Sequence, residues 1–316
     1  MTLLVASSIE STRPTTTRIS RRSMCVAPGF DASPRAGRAP LRWVPAAFVA
    51  VAVVVTVVVA VTAVVSRDDP YLTGRVWLDG WFHGDAVWYC RIADAGYSYT
   101  PGQQSSVAFF PVFPMLLRGV GSVFDGNYEI AGSVIGVVAG GAAVVVFARW
   151  VWPRFPRAEA VTAIAVLQLY PYSFFLSGAA YSDGLFLVTA VGAFVLLERR
   201  MYWLAGLVGA FATAGRPVGV AVAIGLLVRM IEIRTEQLPP ARTAAAEPTG
   251  AAVSGGVTVR PLTRTPEAAG HRTLRALLAG AGTVRPREAG VLLSAAGLAG
   301  WCGYLWSRFG NPLAFV

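Results

Sequence analysis

The chain has no lysine: all 27 of its basic residues are arginine. Charge of either sign is scarce, at 14% of 316 residues, against 55% hydrophobic residues, and the mean hydropathy is +0.56. That balance excludes an ordinary soluble domain. Cysteine is limited to Cys25, Cys90 and Cys302, an odd and scattered set that offers neither a disulfide framework nor a CxxC metal site. Only two histidines occur, so His83 has no second imidazole near it with which to hold a metal. There is no glycine-rich phosphate loop and no internal repeat. The net charge of +10 would point to nucleic acid in a soluble protein. Here the arginines flank long apolar runs, and the balance reads as membrane topology, with no nucleic-acid partner.

What is present is a series of apolar runs. Trp43 to Val65 is long enough to cross a bilayer and reads as an uncleaved first span, with cleavage near Thr62 and Ala63 left open. Further runs lie at 131–149, 159–178, 183–197, 202–230 and 289–306. The expected fold is all-α: a polytopic transmembrane helical bundle in the cell membrane. The run 202–230 is too long for one span and is expected to form a hairpin bent near Gly215-Arg216-Pro217.

Charge orients the bundle. Residues 1–42, with seven arginines and two acids among Ser, Thr and Pro, are expected to be a disordered basic cytoplasmic tail. Residues 66–130 carry four arginines and seven acids and are expected outside. The core would then be 43–230, with 231–288, rich in Arg, Ala and Pro, as a disordered cytoplasmic loop. Residues 289–316 would add one more helix and the start of an external segment. The arrangement has the look of a truncated chain.

Two juxtamembrane helices are expected in the first external loop. Extended as a helix from Trp81, the first puts Trp81, Asp85, Trp88, Ile92 and Ala95 on one side and His83, Val87, Cys90, Arg91 and Asp94 on the other. Asp85 thereby falls on the apolar stripe, where desolvation would make its carboxylate a better proton acceptor, the property a general base for a hydroxyl needs. The alternative is that Asp85 is a helix N-cap. Asp94, three residues after Arg91, reads as a solvated pair with it. The second helix is Val107 to Arg118, with Ser105 and Ser106 as candidate caps.

Four ordered motifs carry a family resemblance. They are Gly84-Asp85-Ala86-Val87-Trp88-Tyr89 through Arg91-Ile92-Ala93 to Gly96-Tyr97; Ala108-Phe109-Phe110-Pro111-Val112-Phe113-Pro114; Tyr181-Ser182-Asp183-Gly184-Leu185-Phe186; and Ala214-Gly215-Arg216-Pro217-Val218-Gly219. From about Trp77 to Val316 the chain resembles the PIG-V-like mannosyltransferases of the GT-C glycosyltransferase superfamily. Gly84 stands where the family usually shows Trp, Asp183 where it commonly shows Glu, and Gly215 where it shows Thr.

The resemblance implies a GT-C-like bundle and transfer of a hexose, mannose in the family, from a polyprenyl-phosphate-sugar donor to a glycolipid or glycan acceptor, with inversion. It implies Asp85 as the catalytic base and Arg216, Asp183, Trp88, Tyr89, Arg91 and Tyr181 as substrate-binding residues. The donor is a co-substrate, so no resident cofactor and no metal ligand is expected, and a divalent-metal requirement stays open. Membrane lipid is the surrounding partner. Arg216, a charge inside an apolar run, must reach a partner or water, and the donor phosphate is one candidate; snorkelling from the bend is the other. Two rival classes remain: a polytopic transporter, which would want broken helices in related halves, and a catalytically inactive GT-C-like scaffold.

Overall fold

A computed structural model describes residues 42–65, 79–235 and 285–316. The described residues fold into helices, with no strand among them. Residues 1–41 of the expected tail, residues 66–78 of the first loop and residues 236–284 lie outside the described residues.

Helix α1, Trp43–Val65, is an alanine- and valine-rich run of 23 residues, about 34 Å long. Only Val44, Phe48, Ala52 and Ala63 are buried, while Val49, Val53, Val57 and Val61 point away from the protein. Such a surface is stable only in lipid, which also requires every backbone hydrogen bond to be made inside the helix. After a 3-10 turn at Asp79–Trp81 come α2 (Asp85–Ala95) and α3 (Val112–Gly121), which pack together. Then follow α4 (Tyr128–Val151), α5 (Arg157–Leu169), α6 (Asp183–Glu198), α7 (Tyr202–Thr213) and α8 (Gly219–Thr235). A 3-10 helix, Pro286–Ala295, runs directly into α9, Ala296–Phe309.

Three helical stretches are long and apolar enough to cross a membrane: Trp43–Val65, Tyr128–Val151 and Pro286–Phe309. This marks the chain as a membrane protein. The other expected spans are shorter than the roughly 20 residues a bilayer demands: α5 has 13, α6 has 16, α7 has 12 and α8 has 17. Chain breakers bound them. Pro171 forces Tyr170 into extended backbone and ends α5, a left-handed Arg200 (φ 63°) separates α6 from α7, and the turn through Arg216-Pro217 separates α7 from α8. Residues 202–230 do reverse there: Ala212 lies against Gly219 and Gly209 against Leu226, as in an antiparallel hairpin.

Residues 231–235 and 285–288, read from the sequence as ends of the linker, are ordered. The former close α8, and the latter open the 3-10 helix around a buried Glu288. Its Oε2 accepts the Arg285 N–H at 2.8 Å, and Arg234 approaches Oε1 at 3.7 Å. A buried carboxylate of this kind is tolerable only when so partnered. The second juxtamembrane helix also starts later than expected. Ser105 and Ser106 close the 98–106 loop rather than capping it; Ser106 Oγ, for example, accepts the Ser98 N–H at 2.8 Å.

The packing that positions the site is along α4. Its N-terminus is capped by Asn127, whose Oδ1 accepts the Ile130 N–H at 3.0 Å. Gly132, Gly136 and Gly140 recur every four residues, on one face. Any Cβ at Gly140 would collide with the carbonyl of Leu176, and one at Gly136 would press on that of Ala179. The segment 176–182 can therefore lie flat on the helix before α6 begins. On the opposite flank, α7 packs against the 3-10 helix through Gly206 and Gly290, and the buried Thr213 hydroxyl donates to the Ser294 carbonyl at 2.7 Å.

Ionic contacts sit at both ends of α6. Asp183 at its start pairs with Arg216, and Glu198 at its end pairs with Arg154. At 1.5 Å per residue the two layers are roughly 22 Å apart with apolar side chains between them, short of the roughly 30 Å of a hydrocarbon core.

Candidate functional site

Three consecutive side chains at the start of α6 reach two other parts of the fold, α2 and the turn between α7 and α8. The Tyr181 hydroxyl donates to the His83 carbonyl at 2.6 Å and accepts the Asp85 N–H at 3.2 Å, so it sits on the first turn of α2. The Ser182 hydroxyl, 2% exposed, is 3.1 Å from that of Tyr89 on α2. Asp183 Oδ1 accepts from Arg216 Nη1 at 2.7 Å, in the turn between α7 and α8. The second motif joins the same cluster through backbone, the Val112 N–H donating to the Ala214 carbonyl at 3.3 Å. All four motifs quoted from the sequence thus meet at one end of the bundle.

Asp85 is the first residue of α2, and the N-cap position is held by Gly84. The N-cap alternative therefore does not describe it. Among the described residues its carboxylate has no hydrogen-bond partner, and it is half-buried. The stripe expected from the sequence is corrected. The buried face of α2 runs through Ala86, Tyr89, Ile92 and Ala93, Ala95 is exposed, and Asp85 lies at the margin. Trp81 is buried, but in a separate 3-10 turn, so a helical phase counted from it is displaced by the break at Gly84, where φ is 57°.

Tyr89 is the centre of the cluster. Phe113 lies 4.7 Å and Phe109 5.4 Å from its ring. Burial pushes its hydroxyl up to about 12; the Ser182 hydrogen bond and the Arg216 charge pull the other way, and Asp85 and Asp183 add to the rise. It is therefore neutral at physiological pH, within the fields of all three charged groups. Tyr181 is likewise raised by burial, opposed by its bond from the Asp85 amide.

The remaining expected residues are further out. Trp88 stacks on Phe109 with centroids 5.6 Å apart. Arg91 is exposed and lies 5.6 Å over the Trp88 ring; it does not enter the cluster. The expected Arg91–Asp94 pair is absent among the described ion pairs. Asp94 contributes its backbone instead: Arg118 Nε donates to the Ala93 carbonyl at 2.6 Å and Nη2 to that of Asp94 at 2.9 Å. Arg118 thus satisfies the free carbonyls at the end of α2. Spacing gives no sign of this role, since the partners are 24 and 25 residues away.

Among the described residues no three His, Cys, Asp or Glu side chains gather as a metal site would require. A cleft of about 450 Å³ opens on the other side of α2, lined by Phe82, Val87, Cys90, Tyr128 and Glu129 among others. It contains none of the expected site residues. Chemically, the cluster offers a carboxylate with its oxygens free, a guanidinium with only Nη1 engaged among the described residues, and two tyrosine hydroxyls. That set suits proton abstraction beside an anion. No protein-family model matches the chain, and comparison with characterised proteins and with solved structures finds no match either.

Proposed function

We propose that the protein is a membrane glycosyltransferase of GT-C-like, many-span architecture, moving a hexose, mannose by family resemblance, from a polyprenyl-phosphate donor to an external lipid or glycan acceptor. The observation that carries the reading is the Tyr181-Ser182-Asp183 segment. It ties the α2 turn bearing Asp85 to Arg216, so a free carboxylate and a cation share one end of the bundle.

In the reaction, Asp85 takes the proton of an acceptor hydroxyl as its oxygen attacks the anomeric carbon. The bond from that carbon to the phosphate oxygen breaks on the opposite face, and polyprenyl phosphate leaves with the electron pair. The configuration inverts. Arg216 steadies the phosphate through donors not used by Asp183, and a planar guanidinium suits a phosphate better than an ammonium. Nucleotide sugars are absent outside the cytoplasm, which fits a sugar arriving on a lipid and a chain without a nucleotide-binding loop.

The test uses membranes containing the full chain and polyprenyl-phosphate-[³H]mannose, with the glucosyl analogue in parallel. Radiolabel should appear in a glycolipid or glycan product in the wild type and not in Asp85→Asn. Label accumulating unreacted inside vesicles would favour a transporter. The absence of both product and uptake would leave a scaffold.

A further inference from the structure

Tyr181 was expected to touch substrate, but its hydroxyl is already occupied on both sides. It donates to the His83 carbonyl and accepts the Asp85 N–H, at 2.6 and 3.2 Å. Between those two groups lies Gly84 at φ 57°, and a Cβ there would come within 2.8 Å of the same hydroxyl. The turn that aims Asp85 is therefore one that glycine makes and Tyr181 closes. The ring is seated on Phe175, centroids 4.7 Å apart. Two residues on, Asp183 is fixed to Arg216.

We infer that Tyr181 is a positioning residue for the Asp85 carboxylate. Its hydroxyl pins the first turn of α2, and through Ser182 and Asp183 it sets that carboxylate at a fixed place relative to the Arg216 guanidinium. The inference rests on the transferase reading, in which proton acceptor and phosphate-binding cation must keep their geometry within a fraction of an ångström. Tyr181 acts through Asp85 and does not itself meet the sugar. Burial keeps the hydroxyl protonated, so it remains able to donate to the His83 carbonyl throughout the neutral range.

The variant is Tyr181→Phe, which keeps the ring and removes the hydroxyl, in full-length protein in lipid nanodiscs. Two quantities are read: steady-state transfer from polyprenyl-phosphate-mannose, and hydrogen exchange of the Asp85 amide. Loss of the acceptor should speed that amide's exchange by about tenfold. Misplacement of the carboxylate should lower kcat by about a hundredfold with donor KM unchanged. Tyr97→Phe, which loses a comparable hydroxyl bond to the Phe109 carbonyl, should retain kcat.

Unchanged amide exchange in Tyr181→Phe overturns the inference. So does faster exchange with undiminished kcat, a raised donor KM at unchanged kcat, or an equal fall in Tyr97→Phe. If the wild type transfers no sugar, the transferase reading fails and the positioning role fails with it. The defeats listed before, obtained with an active wild type, remove the positioning role alone.

Discussion

Arg216 Nη1 donates to Asp183 Oδ1 at 2.7 Å, joining the turn after α7 to the first residue of α6 across 33 positions of sequence. Each side chain is 30% exposed. Solvent screening therefore limits the pair's own contribution to stability to about 1 kcal/mol or less. Its consequence is directional. One edge of the guanidinium is held, and its remaining donors keep a defined aim.

If those donors hold the donor phosphate, Arg216→Ala should abolish measurable donor binding, and Arg216→Lys should retain part of it, because charge survives while the planar fork is lost. Binding of radiolabelled polyprenyl-phosphate-mannose to purified variants checks this. Equal affinity in wild type and Arg216→Ala would assign Arg216 to the ion pair alone.

Asp85→Asn keeps size and hydrogen-bonding shape but removes the proton acceptor. Turnover should fall by roughly two to four orders of magnitude with little change in donor affinity. Asp94→Asn, at an exposed position whose described contact is through its backbone carbonyl, should be nearly silent. Full turnover in Asp85→Asn would transfer the base to another residue or end the transferase reading.

Gly84→Ala introduces a side chain where φ is 57° and the nearest atom to the new Cβ is the Tyr181 hydroxyl, 2.8 Å away. The strain should cost about 1–3 kcal/mol locally and loosen the start of α2. A lower melting temperature in detergent together with faster Asp85 amide exchange is the expected pair of results. An unaltered exchange rate would mean that the turn accommodates alanine.

Cys90 is pushed up to about 12, first by burial and then by the nearby Glu129 charge. A raised folded-state value means that the fold favours the neutral thiol. That contribution is complete below the unfolded value near 9 and is lost as pH rises through the folded one. In a variant with Cys25 and Cys302 replaced by Ser, maleimide labelling should be very slow at pH 7 and climb steeply above pH 9, with Glu129→Gln labelling faster at each pH. A neutral-pH rate equal to that of a free cysteine peptide would contradict this.

Single cysteines at Gln103 and Arg157, both exposed, should report opposite sides of the membrane. An impermeant maleimide added outside intact cells should modify the first and spare the second. Modification of Arg157→Cys alone would invert the orientation drawn from arginine distribution.

Much of the helical framework was legible because it depends on local properties. An uninterrupted apolar run predicts α1 from Trp43 to Val65, since nothing in it stops a helix and nothing in it favours water. The reversal at Gly215-Arg216-Pro217 follows from residues that end helices. The stripe expected on α2 fails for a local reason too: helical phase does not carry across Gly84, where φ is 57°. The run 159–178 proves longer than α5, which ends at Leu169, because hydropathy alone does not register how strongly Pro171 interrupts backbone hydrogen bonding.

By itself, then, the sequence determined that this is a helical chain built for lipid, and it named the four motifs with Asp85, Asp183 and Arg216 among them. Only the tertiary structure decided that Tyr181 closes on the turn at Asp85, 96 residues away, that Asp183 takes Arg216, and that Arg91 stays outside. The reason is physical. Hydropathy and helix propensity are sums over neighbours in sequence, whereas these contacts depend on how closely two helices approach. Here that approach is set by glycines on α4, which allow the 176–182 segment to lie against the helix backbone.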